Sequence, residues 1–293
     1  MDKLLLAILL AILLACLVMP PVRADNPKQV EHFEGRDLLV YAPPHPATPR
    51  ALVIVLHGGF GRAERIASGK SEGALNLDAL AGQQGFYVAY LNGTKVGRML
   101  PETMRGWNAG GGCCGLPFSG GVDDVGYIED TVRHLVAKFA LDPRHVYGLG
   151  HSNGAMMVQR LLCESKVLAA GVAVAGPLNM HAPNCPAMPG HRVLAIHGAE
   201  DRNVPVAGGA GSKGFSKVAF EAEAHAQDVV QAAGGQYTLL LVPGADHFAD
   251  HIDAALKAAG QGTIGEQAAR FLGLAPVSSS QPATAAPASR STP

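Results

Sequence analysis

Three residue types able to pass a proton between them occur in order along this chain, each at a glycine-marked turn. Ser152 lies in Gly150-His151-Ser152-Asn153-Gly154, a G-x-S-x-G pattern between an apolar run and a helical stretch. Small flanking residues let a chain turn sharply from strand to helix and lift the hydroxyl above a sheet. Asp201 ends the sequence His197-Gly198-Ala199-Glu200-Asp201 after the run VLAI, with Glu200 as the fallback carboxylate. His247 follows Pro243-Gly244-Ala245-Asp246, which leaves the run Tyr237–Val242. A serine hydroxyl is a weak nucleophile until an imidazole takes its proton, and that imidazole needs an acid to fix its tautomer. The chemistry expected is acyl transfer, with Ser152 as nucleophile, His247 as general base and Asp201 as the orienting acid.

A developing oxyanion also needs donors. The N–H of Asn153, opening the helix, is one candidate. The loop His57-Gly58-Gly59-Phe60 offers Gly59 or Phe60 as the second, and glycine there lets backbone approach a substrate with no Cβ in the way. His57 reads as a structural histidine under the loop. Trp107 and Phe118 are candidates for an aromatic wall against an acyl group, with core packing as the competing reading. A second G-x-S-x-G match, Gly69-Lys70-Ser71-Glu72-Gly73, follows polar residues rather than a strand and reads as a loop entering a helix near Glu72. His247 and His251 have the i, i+4 spacing of a zinc helix, but Phe248 stands where a metalloprotease has its glutamate. No metal and no cofactor are expected.

The elements that must position these residues alternate. Strands are expected at Leu38–Tyr41, Ala51–Leu56, Phe86–Leu91, His145–Leu149, Ala170–Ala175, Val193–Ile196 and Tyr237–Val242. Helices are expected at Asp123–Phe139, Ala155–Cys163, Ser216–Ala233 and Ile264–Leu272. Such alternation implies an α/β fold with a mostly parallel central sheet and helices on both faces. The three chemical residues all follow strands, where such sheets gather function.

Of the 293 residues, 1–24 read as a secretory signal peptide: Lys3, an apolar run from Leu4 to Met19, and Val22-Arg23-Ala24 as cleavage site. The run is shorter than the roughly 20 residues of a membrane span. Leu13-Leu14-Ala15-Cys16 offers the alternative of a lipid anchor at Cys16. Residues 25–274 suit one catalytic domain. Residues 275–293, rich in Ser, Pro, Ala and Thr, bury too little apolar surface to order and are expected to be a disordered tail. The formal charge of −1, without a basic stripe, leaves nucleic-acid binding unsupported. An even set of cysteines, Cys113, Cys114, Cys163 and Cys185, suggests two disulfides in an exported chain. Adjacent Cα atoms lie only ~3.8 Å apart, short of the ~4.4–6.8 Å of an ordinary disulfide. Cys113 and Cys114 are therefore each expected to pair with Cys163 or Cys185, in an order left open.

The segments LVIVLHGG (52–59), GWNAGGGCCG (106–115), GVDDVGYI (121–128), GHSNGAMM (150–157), HGAEDRNVPVAGG (197–209) and PGADH (243–247) carry a family resemblance. The chain resembles the α/β-hydrolase esterases that include polyhydroxybutyrate depolymerases and feruloyl esterases, in their compact secreted or lipoprotein branch. The resemblance implies the α/β-hydrolase fold and hydrolysis of carboxylic esters through an acyl-enzyme. The ester would be a hydroxyalkanoate oligomer or a feruloyl or acetyl-type ester. Ser152, Asp201 and His247 match the family triad, and the Trp107 loop would lie near the site. Phe248-Ala249-Asp250 departs from the tryptophan-proline segment common after the family's histidine, which argues against action on solid polyester. The rival readings are a peptidase of the same fold and a catalytically silent cell-envelope binding protein.

Overall fold

Apolar runs with no polar alternate have no face to give to water, and here they form the middle of one eight-stranded sheet. The computed structural model describes residues 28–214 and 218–274. The signal peptide, Cys16 and the C-terminal tail expected from sequence lie outside the described residues. In chain order the strands are β1 (Gln29–Phe33), β2 (Arg36–Tyr41), β3 (Leu52–Leu56), β4 (Tyr87–Leu91), β5 (Thr94–Lys95), β6 (Arg105–Gly106), β7 (Val146–His151), β8 (Ala170–Val174), β9 (Arg192–Gly198), β10 (Gly209–Ala210), β11 (Ala219–Phe220) and β12 (Gln236–Val242). The large sheet has the order β1-β2-β4-β3-β7-β8-β9-β12. Its first two pairings are antiparallel and every later one is parallel. Two short ribbons, β5–β6 and β10–β11, stand apart from it.

The two-residue period of a strand divides β3 between two cores. Leu52, Ile54 and Leu56 pack with the helices Asp124–Phe139, Asn153–Glu164 and Glu223–Ala232. Val53 and Val55 pack on the other face with Ala63–Ala67, Asp78–Gln84, Ala249–Ala258 and Ile264–Leu272. All five strand residues are buried, and each such aliphatic side chain contributes about 1.5–3 kcal/mol. Asp123 caps its helix by accepting from Gly126 N–H, and Thr263 with Glu266 forms a reciprocal capping box. The helix Asn153–Glu164 is different: its cap is Ser152, whose side chain makes no capping bond.

Most expected elements appear within a residue or two of their place. The helix expected over Ser216–Ala233 is shorter, Glu223–Ala232, because Ala219–Phe220 pairs with Gly209–Ala210 instead. The helix expected near Glu72 is a single 3-10 turn, Gly73–Leu75. The edge strand β1 and the helix Ala249–Ala258 were not expected; β1 is largely exposed and lacks the apolar run that marks a buried strand.

Candidate active site

Four loops leave the carboxyl ends of parallel strands toward one cavity. The loop after β3 carries Gly58, Gly59 and Phe60; β7 ends at Ser152, β9 leads to Asp201, and β12 leads to His247. Ser152 has φ 52° and ψ −119°, a left-handed conformation that a residue with a Cβ adopts only under constraint. The constraint is close packing. A Cβ on Gly150 would strike the carbonyl of Gly154, and one on Gly154 the carbonyls of Leu56 and His57. The elbow thus presses the nucleophile helix against the strand beside it.

The three sequence-predicted residues are brought together. Ser152 Oγ lies 2.9 Å from His247 Nε2, and His247 Nδ1 lies 2.7 Å from Asp201 Oδ2. Asp201 Oδ1 also accepts from the N–H groups of Asn203 and Val204, at 2.8 and 2.9 Å. Glu200 is exposed, and Asp201 is the carboxylate that meets His247. Burial drives the pKa of His247 below its ordinary value, and nearby His151 adds to the effect against the opposing pull of Asp201. The imidazole is therefore neutral near pH 7, with Nδ1–H donating to Asp201 and Nε2 free to accept from Ser152.

Two further histidines flank this core, and neither was singled out from sequence as part of the site. His197 is fully buried; its Nε2 donates to Asp201 Oδ2 and Val204 O, both at 3.0 Å, and its Nδ1 to Glu223 Oε1 at 2.6 Å. Both ring nitrogens face acceptors, so the ring is an imidazolium. Burial opposes that charge, but Asp201 and Glu223 outweigh it and raise the pKa to about 9. Glu223 is also bonded by the Tyr237 hydroxyl. In turn, burial would raise the pKa of Asp201, but hydrogen bonds from His197 and His247 hold it well below the usual carboxylate range. Ser152, His247, Asp201, His197, Glu223 and Tyr237 form one continuous polar chain.

His151, the variable residue before the nucleophile, donates Nδ1–H to Glu72 Oε1 at 2.6 Å and Nε2–H to the His247 carbonyl at 2.8 Å. Burial resists its charge, yet Glu72 raises its pKa overall. Glu72 sits at φ 54° and also accepts from Gly58 N–H at 2.8 Å. One buried ion pair therefore ties the loop after β3 to the backbone of His247. Glu72 belongs to the second G-x-S-x-G match: Ser71 lies at the cavity margin, and its neighbour braces the site. His57 is structural as expected: buried, with Nδ1–H donating to Gly58 O and Nε2 accepting from Gly93 N–H.

The cavity beside Ser152 has a volume of about 640 Å³, and its walls include Gly59, Phe60, Cys113, Cys114, His247 and Phe248. Trp107 is not a wall. It is fully buried, its indole donates to His57 O at 2.9 Å, and its backbone exchanges two hydrogen bonds with the Asn153 side chain. It pins the oxyanion loop to the nucleophile helix. Phe118 is 41% exposed on the short helix Leu116–Ser119 and does not line the cavity.

The disulfides also depart from expectation. Cys113 bonds to Cys114, and Cys163 to Cys185. The expectation assumed a trans peptide between the neighbours, whereas this one is cis. The bridge packs on the oxyanion loop: a Cβ on Gly59 would come within 2.7 Å of Cys114 Sγ. The Cys163–Cys185 bridge closes a separation of 22 residues, a closure worth about 3 kcal/mol. Among the described residues no group of three or more His, Cys, Asp or Glu could hold a metal ion, and no helix is long and apolar enough to cross a membrane. His251 pairs with Asp246 at the surface.

No protein-family model matches the chain. A protein of Nocardia uniformis subsp. tsuyamanensis named as an esterase, NocK, is 36% identical over 140 residues, covering 47% of this chain and 36% of its own length. A feruloyl esterase B of Neurospora crassa is 30% identical over 153 residues, covering 52% of this chain and 46% of its own length. The chain thus spans less than half the length of these curated relatives. The crystal structure of a Bacillus cereus carboxylesterase superposes with a TM-score of 0.57 at 14% identity, covering 82% of this chain and 94% of that one. The fold is that of the α/β-hydrolases.

Proposed function

We propose that this chain is an exported serine esterase that hydrolyses carboxylic esters through an acyl-enzyme on Ser152. The observation that carries the reading is the run of contacts from Ser152 Oγ to His247 and on to Asp201, at 2.9 and 2.7 Å, under a strained nucleophile turn. His247 Nε2 takes the hydroxyl proton as Ser152 Oγ bonds to the ester carbonyl carbon. The carbonyl π electrons move to oxygen, where the Asn153 N–H and an N–H of Gly59 or Phe60 receive the oxyanion. Gly58 N–H is engaged by Glu72, so the loop donor comes from the two residues after it. Collapse expels the alcohol with the proton from His247, and water then attacks the acyl-enzyme by the same route. Each oxyanion donor is worth about 3–4 kcal/mol.

The names of the relatives favour feruloyl or other small acyl esters, and the family resemblance adds hydroxyalkanoate oligomers. The leader-like N-terminus and the two disulfides support export. The test is hydrolysis of 4-nitrophenyl acetate, butyrate and octanoate, methyl ferulate and 3-hydroxybutyrate oligomers, beside Ser152→Ala and matched anilides. Turnover of at least one ester, reduced about 10⁴-fold or more by Ser152→Ala, is expected. Ester turnover unchanged in that variant, or hydrolysis of anilides alone, overturns the assignment.

A further inference from the structure

The margins of the cavity are charged differently from the rest of the chain. Over the whole sequence Lys and Arg number 23 against 24 Asp and Glu. Residues 61–70 hold Arg62, Arg65 and Lys70 against Glu64, and residues 202–220 hold Arg202, Lys213 and Lys217 against no carboxylate. Arg65 of the first segment and Lys213 of the second both line the cavity. A second hollow, about 700 Å³, adjoins it through Arg65 and Ser71 and is further lined by Arg62 and Lys70.

Other arginines in the molecule have partners: Arg36, Arg144 and Arg160 pair with Asp124, Asp142 and Glu164, and Arg50, Arg105, Arg192 and Arg270 donate to main-chain carbonyls. Arg62, Arg65, Lys70 and Lys213 enter no such pair among the described residues, and Arg62 Nε is buried without an acceptor. Glu72, the carboxylate that lines the cavity, is bound by His151 and Gly58. Glu64, in the adjoining hollow, takes a hydrogen bond from Asn92 on Oε1, has Oε2 buried without a partner, and is outnumbered there by Arg62, Arg65 and Lys70. The charge at the cavity margin that enters no ion pair is therefore positive, carried by Arg65 and Lys213, and apolar walls focus such a field on a bound ligand.

Resting on the esterase reading above, we propose that the ester accepted here carries a carboxylate, in its acid or its alcohol half, held at the cavity margin by Arg65 and Lys213. Guanidinium binds a carboxylate through a planar fork and ammonium as a point charge, so the pair both orients and attracts the ligand. Carboxylate-terminated hydroxyacid oligomers belong to this class; fully esterified or simple alkyl esters do not.

Two matched pairs of substrates test it. Mono-4-nitrophenyl glutarate against 4-nitrophenyl pentanoate places the carboxylate in the acid half; 3-acetoxybutyrate against its methyl ester places it in the alcohol half. In at least one pair the anionic member is expected to have the higher kcat/KM, by about tenfold. The ratio should fall toward unity in the double variant Arg65→Gln/Lys213→Gln and as salt rises to about 0.5 M. Both side chains are exposed, so the variant should keep the wild-type melting temperature. A ratio at or below one in both pairs, or a preference that the double variant keeps, overturns the proposal. Failure of the wild type on all four esters would instead overturn the esterase reading on which it rests.

Discussion

The molecule uses the same pair of residues, a buried histidine with a glutamate, on two sides of His247, and to different ends. In the His197–Glu223 pair the histidine reaches a side chain, the Asp201 carboxylate. In the His151–Glu72 pair it reaches main chain, the His247 carbonyl, while the glutamate takes Gly58 N–H. The first acts on the charge of Asp201, the carboxylate that meets the His247 ring. The second sets the position of two backbone segments, one carrying the base and the other the oxyanion donors. Equal chemistry does unequal work because one pair touches a group whose charge counts in the reaction and the other touches dipoles that only need to stay in place.

The comparison predicts a ranking of variants. Removing the acid through which the first pair acts on His247 is the largest expected effect: Asp201→Asn leaves the shape but fixes the wrong His247 tautomer, and kcat/KM should fall about 10⁴-fold. Next comes His197→Gln. Loss of a charged hydrogen bond to Asp201, worth about 1.5–3 kcal/mol, should lower kcat/KM about 10- to 150-fold. It should also change stability against pH. With its folded pKa raised to about 9 from 6.5, His197 lends stability that is complete below pH 6.5 and lost as pH rises through about 9. The melting temperature of the wild type should decline across that window, and the decline should flatten in His197→Gln. Glu72→Gln should be the mildest for catalysis, about fivefold in kcat/KM, although removing one partner of a buried ion pair can cost about 3–5 kcal/mol of stability. If Glu72→Gln lowers activity as much as His197→Gln, the distinction between the two pairs fails.

Much of this was readable in advance, for reasons tied to particular residues. Ser152, Asp201 and His247 each follow an apolar run and a glycine, so position at a strand end could be read from composition alone. His197 stood in the same HGAED segment, but nothing local distinguishes a cation between two carboxylates from a histidine that merely packs. Glu223 and Glu72 lie 26 and 79 residues from their histidines, and no spacing rule spans such distances. For Trp107 the sequence leaves a wall and core packing both open, because nothing local signals that Asn153 binds its backbone; the structure shows core packing. The Cys113–Cys114 bond is not legible in the sequence, where neighbouring residues default to a trans peptide. The shortened helix before Ala232 failed at a tertiary pairing, β10 with β11, which local helical pattern cannot register.

The order of the sheet has a consequence for descent. The candidate triad and the Gly59–Phe60 loop follow strands β3, β7, β9 and β12, whereas part of the cavity wall comes from excursions between them: Cys113 and Cys114 from the 92–123 stretch, and Phe220 from the end of β11. Inheritance can lengthen, trim or exchange those excursions while the strands that hold serine, aspartate and histidine stay in register. Diet and chemistry are thereby free to change at different rates within one lineage.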